Sequence, residues 1–439
     1  MSKRLFTALA LLIVASMALA ACGGAPTTPA PVGGDGGDGG DGGDGGAFVC
    51  DDAIGCLDIA PDEPVHLAYM LTISGATAFL GEDSVGGIEI AIDDRGGELL
   101  GHPIQLTGED SGCSAEGGQT AATIVASDPT IVGVVGTNCS SSATAAMSTL
   151  MGAGLVMISP SNTAPALTLE GETWQEGYFR ACHTDLFQGA VAAEFAYNEL
   201  GATTAATIHD GSPYADQLQA VFSDRFAELG GTVTFQGAVN VGDTDMRTIL
   251  TSVAADSPDI LYFPIFEPEG PFIVQQSGEI EGLEDTILMG ADGLLVDSFP
   301  ENAGANAVGM YLSGPYVSGA SYDDFLSKWE TKYGGVPPSG FHAFAYDGTN
   351  ILLDAVEAVA VQDADGTLHV GRQALRDAMA ATDGFQGLTG TLSCGTKEFA
   401  AGTSHGDCAT GSALGIFEIT DAEVTGGNWP PEAIFTPGG

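Results

Sequence analysis

The chain has 439 residues, 58 of them acidic and 11 basic, and its formal net charge at pH 7 is −47. This charge disfavours nucleic acids and anionic membrane surfaces as partners, because both repel an acidic protein. The length allows two globular lobes, and the scattered histidines and the cysteine spacings predict neither a metal site nor a cofactor.

The first residues have the pattern of a secretion signal. Lys3 and Arg4 precede an apolar run that is too short for an ordinary membrane span. The sequence Leu-Ala-Ala-Cys follows at 19–22, and a small-residue cleavage site that ends in cysteine resembles a bacterial lipobox. The lipobox implies that residues 1–21 are removed and that lipid is attached to Cys22. An ordinary secretion signal with a chance cysteine is the alternative.

Residues 22–60 are predicted to form a tether. The part from Gly23 to Gly46 contains a repeated Gly-Gly-Asp, a composition that cannot bury a core and behaves as a flexible spacer. The repeat lacks the alternating apolar residues of a calcium-binding β-roll, so a spacer is favoured over a metal site. Cys50 and Cys56 are close in sequence and are predicted to close a small loop as a disulfide.

From Val65 onward, predicted strands and helices alternate. Val65 to Met70 is the first strand, and the helix after it reaches about Asp94. Ile104 to Thr107 is the second strand, followed by a helix from about Ser114 to Ser127. Ile131 to Val135 is a short apolar run rich in β-branched residues, which is typical of a buried parallel strand. This order predicts a doubly wound parallel sheet.

Two hydroxyl-rich loops follow neighbouring strands of this sheet. Ser140 to Ser142 stand before a helix predicted at 143–151, and the loop 159–163 follows the strand Leu155 to Ile158. Serines at this position accept hydrogen bonds from the first backbone N–H groups of a helix, and such loops can also hold a small carboxylate. From these residues alone, simple helix capping and anion binding are about equally favoured.

The order Cys139-Ser-Ser-Ser, followed by Ile158-Ser-Pro-Ser-Asn-Thr-Ala-Pro, resembles the branched-chain amino-acid binding proteins of ABC importers. These proteins have the type I periplasmic binding fold, and the resemblance covers roughly Val65 to Ile419. It implies an α/β fold in which two doubly wound lobes are joined by a three-strand hinge. The lobe boundaries it implies are 61–183 with 314–384 for the N-terminal lobe, and 184–313 with 385–430 for the C-terminal lobe.

The remaining elements fit two interleaved lobes. The first crossing is predicted where His183 to Gly189 lead into a helix that ends near Leu200, and the return crossing is predicted at Met310 to Pro315. Further strands are predicted at 178–180, 205–209, 232–238, 260–263 and 287–290, and helices at 321–333, 341–359 and 371–381. A β-hairpin region at 387–419 is expected to complete the C-terminal lobe.

The resemblance also implies a ligand site at the carboxyl ends of the strands, where open α/β sheets bind ligands. Ser140 and Thr163 offer hydroxyl and backbone N–H groups to an α-carboxylate. Asp292 is an acceptor for an α-ammonium, and the carbonyl of Ser161 is a second one. The complete predicted set is Leu80, Ser140, Ser161, Thr163, Tyr214, Phe266 and Asp292.

Several of these positions depart from the family pattern. Asp292 stands where the family often has Glu, Phe266 replaces a frequent Tyr, and Leu80 replaces an aromatic residue. The last two changes predict an apolar side-chain pocket. The alternatives are that Tyr214 and Phe266 anchor their loops, and that Asp292 caps the helical turn before Leu294.

Two further disulfides are predicted. Cys113 and Cys139 occupy the positions of a disulfide in members of the resembled family. Cys394 and Cys408 bracket a glycine-rich hairpin and are expected to pair. Cys182 is left over and is predicted to be buried and free.

The implied function is the capture of an amino acid, branched-chain or otherwise apolar, by a lipid-anchored extracytoplasmic or periplasmic monomer that delivers it to an ABC permease. Closure of the two lobes around the ligand is the implied mechanism. The sequence has no Gly-x-Ser-x-Gly elbow, P-loop or His-Glu-x-x-His motif, so an enzyme is not predicted. Glu267 and Glu269 form only a weak carboxylate pair for a secreted glycoside hydrolase. A sensor subunit for amino acids or related amides is the other alternative.

Overall fold

Two mainly parallel β-sheets organise the part of the chain that the structure, a computed structural model, describes: residues 48–427 and 429–437. The predicted signal, Cys22 and the Gly-Asp spacer lie outside these residues. No helix in the described ranges combines the length and the apolar character that crossing a bilayer would require.

Sheet 1 belongs to the N-terminal lobe and has six strands. In spatial order they are Glu98–Leu99, His102–Asp110, Val65–Leu71, Ile131–Gly136, Met157–Ser159 and Tyr178–Arg180. Only the first pair is antiparallel. The strand Val65–Leu71 is buried on both faces, since Leu67 and Leu71 lie in one buried cluster while Ala68 and Met70 lie in another. Its sequence is mostly apolar for this reason, as in other parallel sheets.

Sheet 2 belongs to the C-terminal lobe and has seven strands. In spatial order they are Ala433–Phe435, Leu414–Glu418, Tyr311–Pro315, Ile287–Gly290, Ile260–Tyr262, Thr204–His209 and Thr232–Ala238. The last five run parallel, and the two strands from the end of the chain are antiparallel additions at one edge. The ends of parallel strands meet at one edge of each sheet, and these edges position the loops described below.

Helices connect and cover the strands. The α-helices are Phe79–Asp94, Ala115–Ser127, Ser140–Gly152, Asp185–Glu194, Pro213–Glu228, Arg247–Ala254, Glu269–Ser277, Phe299–Ala303, Ala320–Tyr333, His342–Val359, Arg372–Ala380 and Asp421–Gly426. Short 3-10 turns occur at Pro165–Leu167, Asp292–Leu294 and Gly304–Ala307, and a π-helical turn at Phe195–Glu199. Several begin as the sequence suggests: Ser212 accepts a hydrogen bond from the N–H of Ala215, and Pro213 occupies the first helical position.

The remaining strands form small sheets. A three-stranded sheet contains Cys56–Ile59, Leu368–Gly371 and Val361–Gln362, and two hairpins pair Phe385–Gly387 with Gly390–Leu392 and Lys397–Phe399 with Gly402–Ser404. The first of these sheets fastens the start of the described chain to the N-terminal lobe.

The helix after the strand Ile131–Gly136 differs from the prediction. It begins at Ser140 rather than at residue 143, and Cys139 is its N-cap without a side-chain capping bond. The serine hydroxyls bind elsewhere. Ser140 accepts from the N–H of Ala164, and Ser142 donates to the carbonyls of Ser111 and Ser114, which follow the strand His102–Asp110. The interpretation that these serines simply cap the helix is therefore wrong, because their hydroxyls connect the helix to other loops.

The chain crosses between the lobes three times. The first crossing follows Arg180, the second follows Pro315, and the third lies between Ala409 and Leu414. The third crossing is later than the predicted boundary at 384/385.

The misplaced boundary has a physical cause. Leu392, Cys394 and Cys408 are buried in the N-terminal core, and Asp407 forms an ion pair with Arg180 at the edge of sheet 1. The segment is rich in glycine and lacks a regular apolar pattern, so its sequence did not show which lobe it packs against.

All three predicted disulfides are present, and they join Cys50 with Cys56, Cys113 with Cys139, and Cys394 with Cys408. Cys182 is free and buried, as predicted.

Candidate ligand-binding site

A narrow cavity lies between the lobes, at the carboxyl ends of strands from both sheets. Six of the seven predicted site residues line it: Leu80, Ser140, Ser161, Tyr214, Phe266 and Asp292. Asn138 and Phe341 line it as well and were not predicted. Residues far apart in sequence therefore meet at the place where the sequence predicted a ligand.

Ser140 and Ser161 form the side of the cavity suited to an anion. Ser140 is the first residue of its helix, where backbone N–H groups have no intrahelical acceptor and the helix dipole is positive. Asn138 fixes the adjoining loops, since its amide donates to the hydroxyl of Ser161 at 3.1 Å and to that of Ser84 at 2.9 Å. Together these groups suit a carboxylate.

Thr163 lies beside the cavity rather than on its surface. The residue is buried, and its hydroxyl makes no hydrogen bond of normal geometry. Its carbonyl accepts from the N–H of Asp185 at 2.9 Å, and its hydroxyl is near enough to Asp185 to lower the pKa of that carboxyl. The predicted hydroxyl is thus next to the site and lies near the carboxyl of Asp185.

Asp292 forms the opposite side, in the 3-10 turn after the strand Ile287–Gly290. Its Oδ1 accepts from the hydroxyl of Tyr214 at 2.8 Å and from the amide of Gln188 at 2.6 Å, which leaves Oδ2 for a ligand. Burial raises the pKa of Asp292 to about 6, although both hydrogen bonds lower it. The carboxyl is an acceptor suited to an ammonium group.

Gln188 and His183 form a chain of hydrogen bonds that ends at Asp292, and neither was predicted as a site residue. Gln188 accepts from the Nε2–H of His183 at 2.5 Å and also donates to the carbonyl of Ser313 at 3.2 Å. It therefore links Asp292 to the first and second crossings. Burial lowers the pKa of His183 to about 4, so this imidazole is neutral at pH 7.

Asp185 is the other buried acid near the site that the sequence analysis did not assign. It has no exposed surface, and neither carboxylate oxygen makes a hydrogen bond of normal geometry. Burial raises its pKa well above the usual value, and the nearby charge of Asp292 adds to this effect. The available signal was an acid, Asp185, close to His183 and Gln188 in the segment of the first crossing.

The walls between these polar ends are apolar. The rings of Tyr214 and Phe266 are 4.8 Å apart on the C-terminal lobe, and Leu80 and Phe341 face them from the N-terminal lobe. Phe341 is positioned by Asp83, whose carboxylate accepts from its backbone N–H at 2.9 Å. The walls suit an uncharged hydrocarbon side chain.

A groove of about 270 Å³ shares Ser140, Tyr214 and Phe266 with the cavity and also contains Glu267 and Glu269. Both oxygens of Glu267 accept hydrogen bonds within the C-terminal lobe, at 2.7 and 3.2 Å, and Glu269 accepts from a backbone N–H. The hydrogen bonds of these two acids hold loops of that lobe in place.

Comparisons with known proteins agree with this geometry. A profile of the family described as periplasmic binding protein matches residues 64–404. An amino acid binding protein of Pseudomonas aeruginosa is 27% identical over 297 residues, which cover 66% of this chain and 77% of the relative. A Leu/Ile/Val-binding protein of Escherichia coli K12 is 28% identical over 266 residues, covering 60% of this chain and 71% of the relative.

The fold also has a close counterpart among solved structures. The leucine binding protein LivK of Thermotoga maritima superposes with a TM-score of 0.72 at 24% identity, covering 85% of this chain and 99% of the other. These relatives are solute-binding proteins rather than enzymes. Because the family profile spans most of the chain and the two-lobed fold agrees with it, the chain belongs to the periplasmic binding protein family.

Proposed function

We propose that the protein captures an aliphatic amino acid such as leucine, isoleucine or valine between its lobes and delivers it to an ABC permease. The observation that carries this proposal is the cavity itself, where a helix N-terminus on one lobe faces Asp292 on the other. A carboxylate suits the first and an ammonium suits the second. The names of the relatives from Pseudomonas aeruginosa and Escherichia coli support the same class of ligand.

Closure of the lobes explains how binding is signalled. The ligand first meets Ser140 and Ser161 on the N-terminal lobe, and Tyr214, Phe266 and Asp292 then contact it from the C-terminal lobe. Contacts that exist only when the lobes are together favour the closed state by their own free energy. The permease then recognises the closed form.

Calorimetric titration tests the ligand class. The protein is first stripped of any carried-over ligand by unfolding and refolding. L-leucine is expected to bind, and to raise the melting temperature because it binds only the native state. 4-Methylpentanoic acid, which is leucine without its amino group, is the matched control and should bind much more weakly. Tight binding of this acid, a sugar or a polyamine, with no response to aliphatic amino acids, would refute the proposal.

We also propose that Cys22 anchors the protein to the outer face of the cell membrane. The cleavage site that ends in this cysteine and the spacer after it support the anchor. Cys22→Ala is expected to release soluble protein or to leave unprocessed precursor, and the measurement is fractionation of cells without detergent. Cys182→Ala is the control, because Cys182 is buried and free. A correctly cleaved Cys22→Ala protein that stays with the membrane would contradict the anchor.

A further inference from the structure

Two carboxyl groups are buried together beside the cavity without a cation to balance them. Asp185 has no exposed surface and Asp292 is 4% exposed, and each raises the electrostatic cost of ionising its neighbours. The positive charge of Arg180 lowers the pKa of Asp185, but its guanidinium is bound to Asp407. The same guanidinium also donates to the carbonyl of Asn162 at 3.1 Å.

The other titratable groups around the pair do not supply a positive charge either. His183 is neutral at pH 7 because burial lowers its pKa to about 4. The phenols of Tyr214 and Tyr262 and the thiol of Cys182 are uncharged, since burial raises the pKa of each. Two adjacent carboxylates that are removed from water and lack a counter-ion do not both stay ionised.

The two acids differ in the number of hydrogen-bond donors that would stabilise a negative charge. Asp292 receives two donors, from Tyr214 and Gln188. The oxygens of Asp185 receive none of normal geometry, although the nearby hydroxyl of Thr163 lowers the pKa of this carboxyl. An unpaired buried carboxylate is far more costly than an unpaired neutral acid. Asp185 is therefore the acid that carries a proton when the cleft is empty.

We propose that the ammonium group of the ligand replaces this proton, so that Asp185 and Asp292 are both ionised in the complex and capture of an amino acid releases one proton to the solvent. This proposal rests on the proposed function. The ammonium group of the ligand keeps its positive charge. Without ligand, Asp292 is ionised and Asp185 is protonated. In the complex, both carboxylates are ionised and share the one ammonium group. The pair thereby selects for a ligand that carries a positive charge.

The first test follows the proton directly. Infrared spectroscopy of the ligand-free protein at pH 7 should show the carbonyl band of a protonated carboxylic acid, and the band should disappear when L-leucine is added. Asp185→Asn should lack this band and should fold, because asparagine has the shape of the neutral acid. A ligand-free protein whose spectrum does not differ from that of Asp185→Asn would overturn the proposal, whether or not leucine binds.

Asp347 provides the matched control. It is also buried, and burial raises its pKa to about 6, but it lies in the N-terminal lobe and accepts hydrogen bonds from Leu388 and Thr389. Asp347→Asn should therefore leave the leucine-dependent change of the spectrum intact. Loss of that change in Asp347→Asn would show that the proton belongs to another site.

The second test measures proton release by calorimetry. Titrations with L-leucine at pH 7, in buffers with small and large heats of ionisation, should give enthalpies whose difference corresponds to about one released proton. Affinity should fall about tenfold per pH unit once the pH is below the pKa of the protonated acid, because the ligand must then displace the proton. Leucine binding without proton release would overturn only this inference. Failure of every aliphatic amino acid to bind would overturn the proposed function and the proton exchange with it.

Discussion

Replacing Arg180 with alanine is expected to lower the free energy of unfolding by about 3–5 kcal/mol, the usual effect of breaking a buried ion pair. Arg180 has no exposed surface, pairs with Asp407 and donates to the carbonyl of Ala164 at 2.9 Å. Alanine would leave the carboxylate of Asp407 buried without its cation. Urea denaturation followed by circular dichroism measures the change.

Arg247 is the matched control. It also pairs with two acids, Asp245 and Glu279, but on the exposed surface of the C-terminal lobe. Arg247→Ala should leave the free energy of unfolding nearly unchanged, because water screens exposed pairs. Equal effects of the two substitutions would show that the Arg180 pair does not stabilise the fold.

The same pair gives the stability a pH dependence. Burial would raise the pKa of Asp407, but the charge of Arg180, together with hydrogen bonds from Arg180, Ser404 and Thr168, outweighs burial and holds this pKa below its usual value. A carboxyl with a lowered pKa stabilises the folded state above the pKa of the unfolded chain, about 4, and this contribution is lost as the pH falls through the folded value. The difference in stability between the wild type and Asp407→Asn should therefore shrink in acid.

Replacing Asp292 with alanine is expected to weaken the binding of L-leucine by about 2–5 kcal/mol, or roughly 30- to 4,000-fold. The reason is that the ammonium group would be buried in the closed cleft without its main acceptor on the C-terminal lobe. Calorimetric titration measures the affinity, and the melting temperature of the ligand-free variant shows whether the fold is intact.

Asp285 is the control for this substitution, since it is exposed on the same lobe. Asp285→Ala should bind leucine as the wild type does, which excludes a general effect of removing one negative charge. Unchanged affinity in a folded Asp292→Ala protein would mean that the ammonium is held elsewhere, and would contradict the orientation proposed for the ligand.

Much of the fold could be predicted from sequence because its strands are short apolar runs between clear turns. Thr232–Ala238 has the bounds that its pattern predicted, and the helices Ala320–Tyr333 and His342–Val359 lie within one residue of theirs at each end. The spacing of apolar residues shows which side of a strand or helix faces the core. It can be read from the sequence without knowing which element packs against that side.

The candidate site was only partly predictable, because its residues come from loops that are distant in sequence. Ser140, Tyr214 and Asp292 could be placed at strand ends by their positions alone. Phe341 reaches the cavity from the start of a helix whose position relative to sheet 1 depends on the second crossing. Asp185 comes before most of the C-terminal lobe in the sequence. That its carboxylate is buried without a hydrogen bond of normal geometry could be seen only in the folded structure.

The interleaving of the lobes has a consequence for the order in which the chain folds. The helix His342–Val359 packs against Phe79–Asp94, and Asp83 binds the backbone of Ser339 and Phe341. The N-terminal lobe therefore cannot be completed until the ribosome has made most of the protein. Contacts over such long separations require the closure of large loops, which slows folding. The first half of the chain therefore lacks a helix against which its own lobe packs.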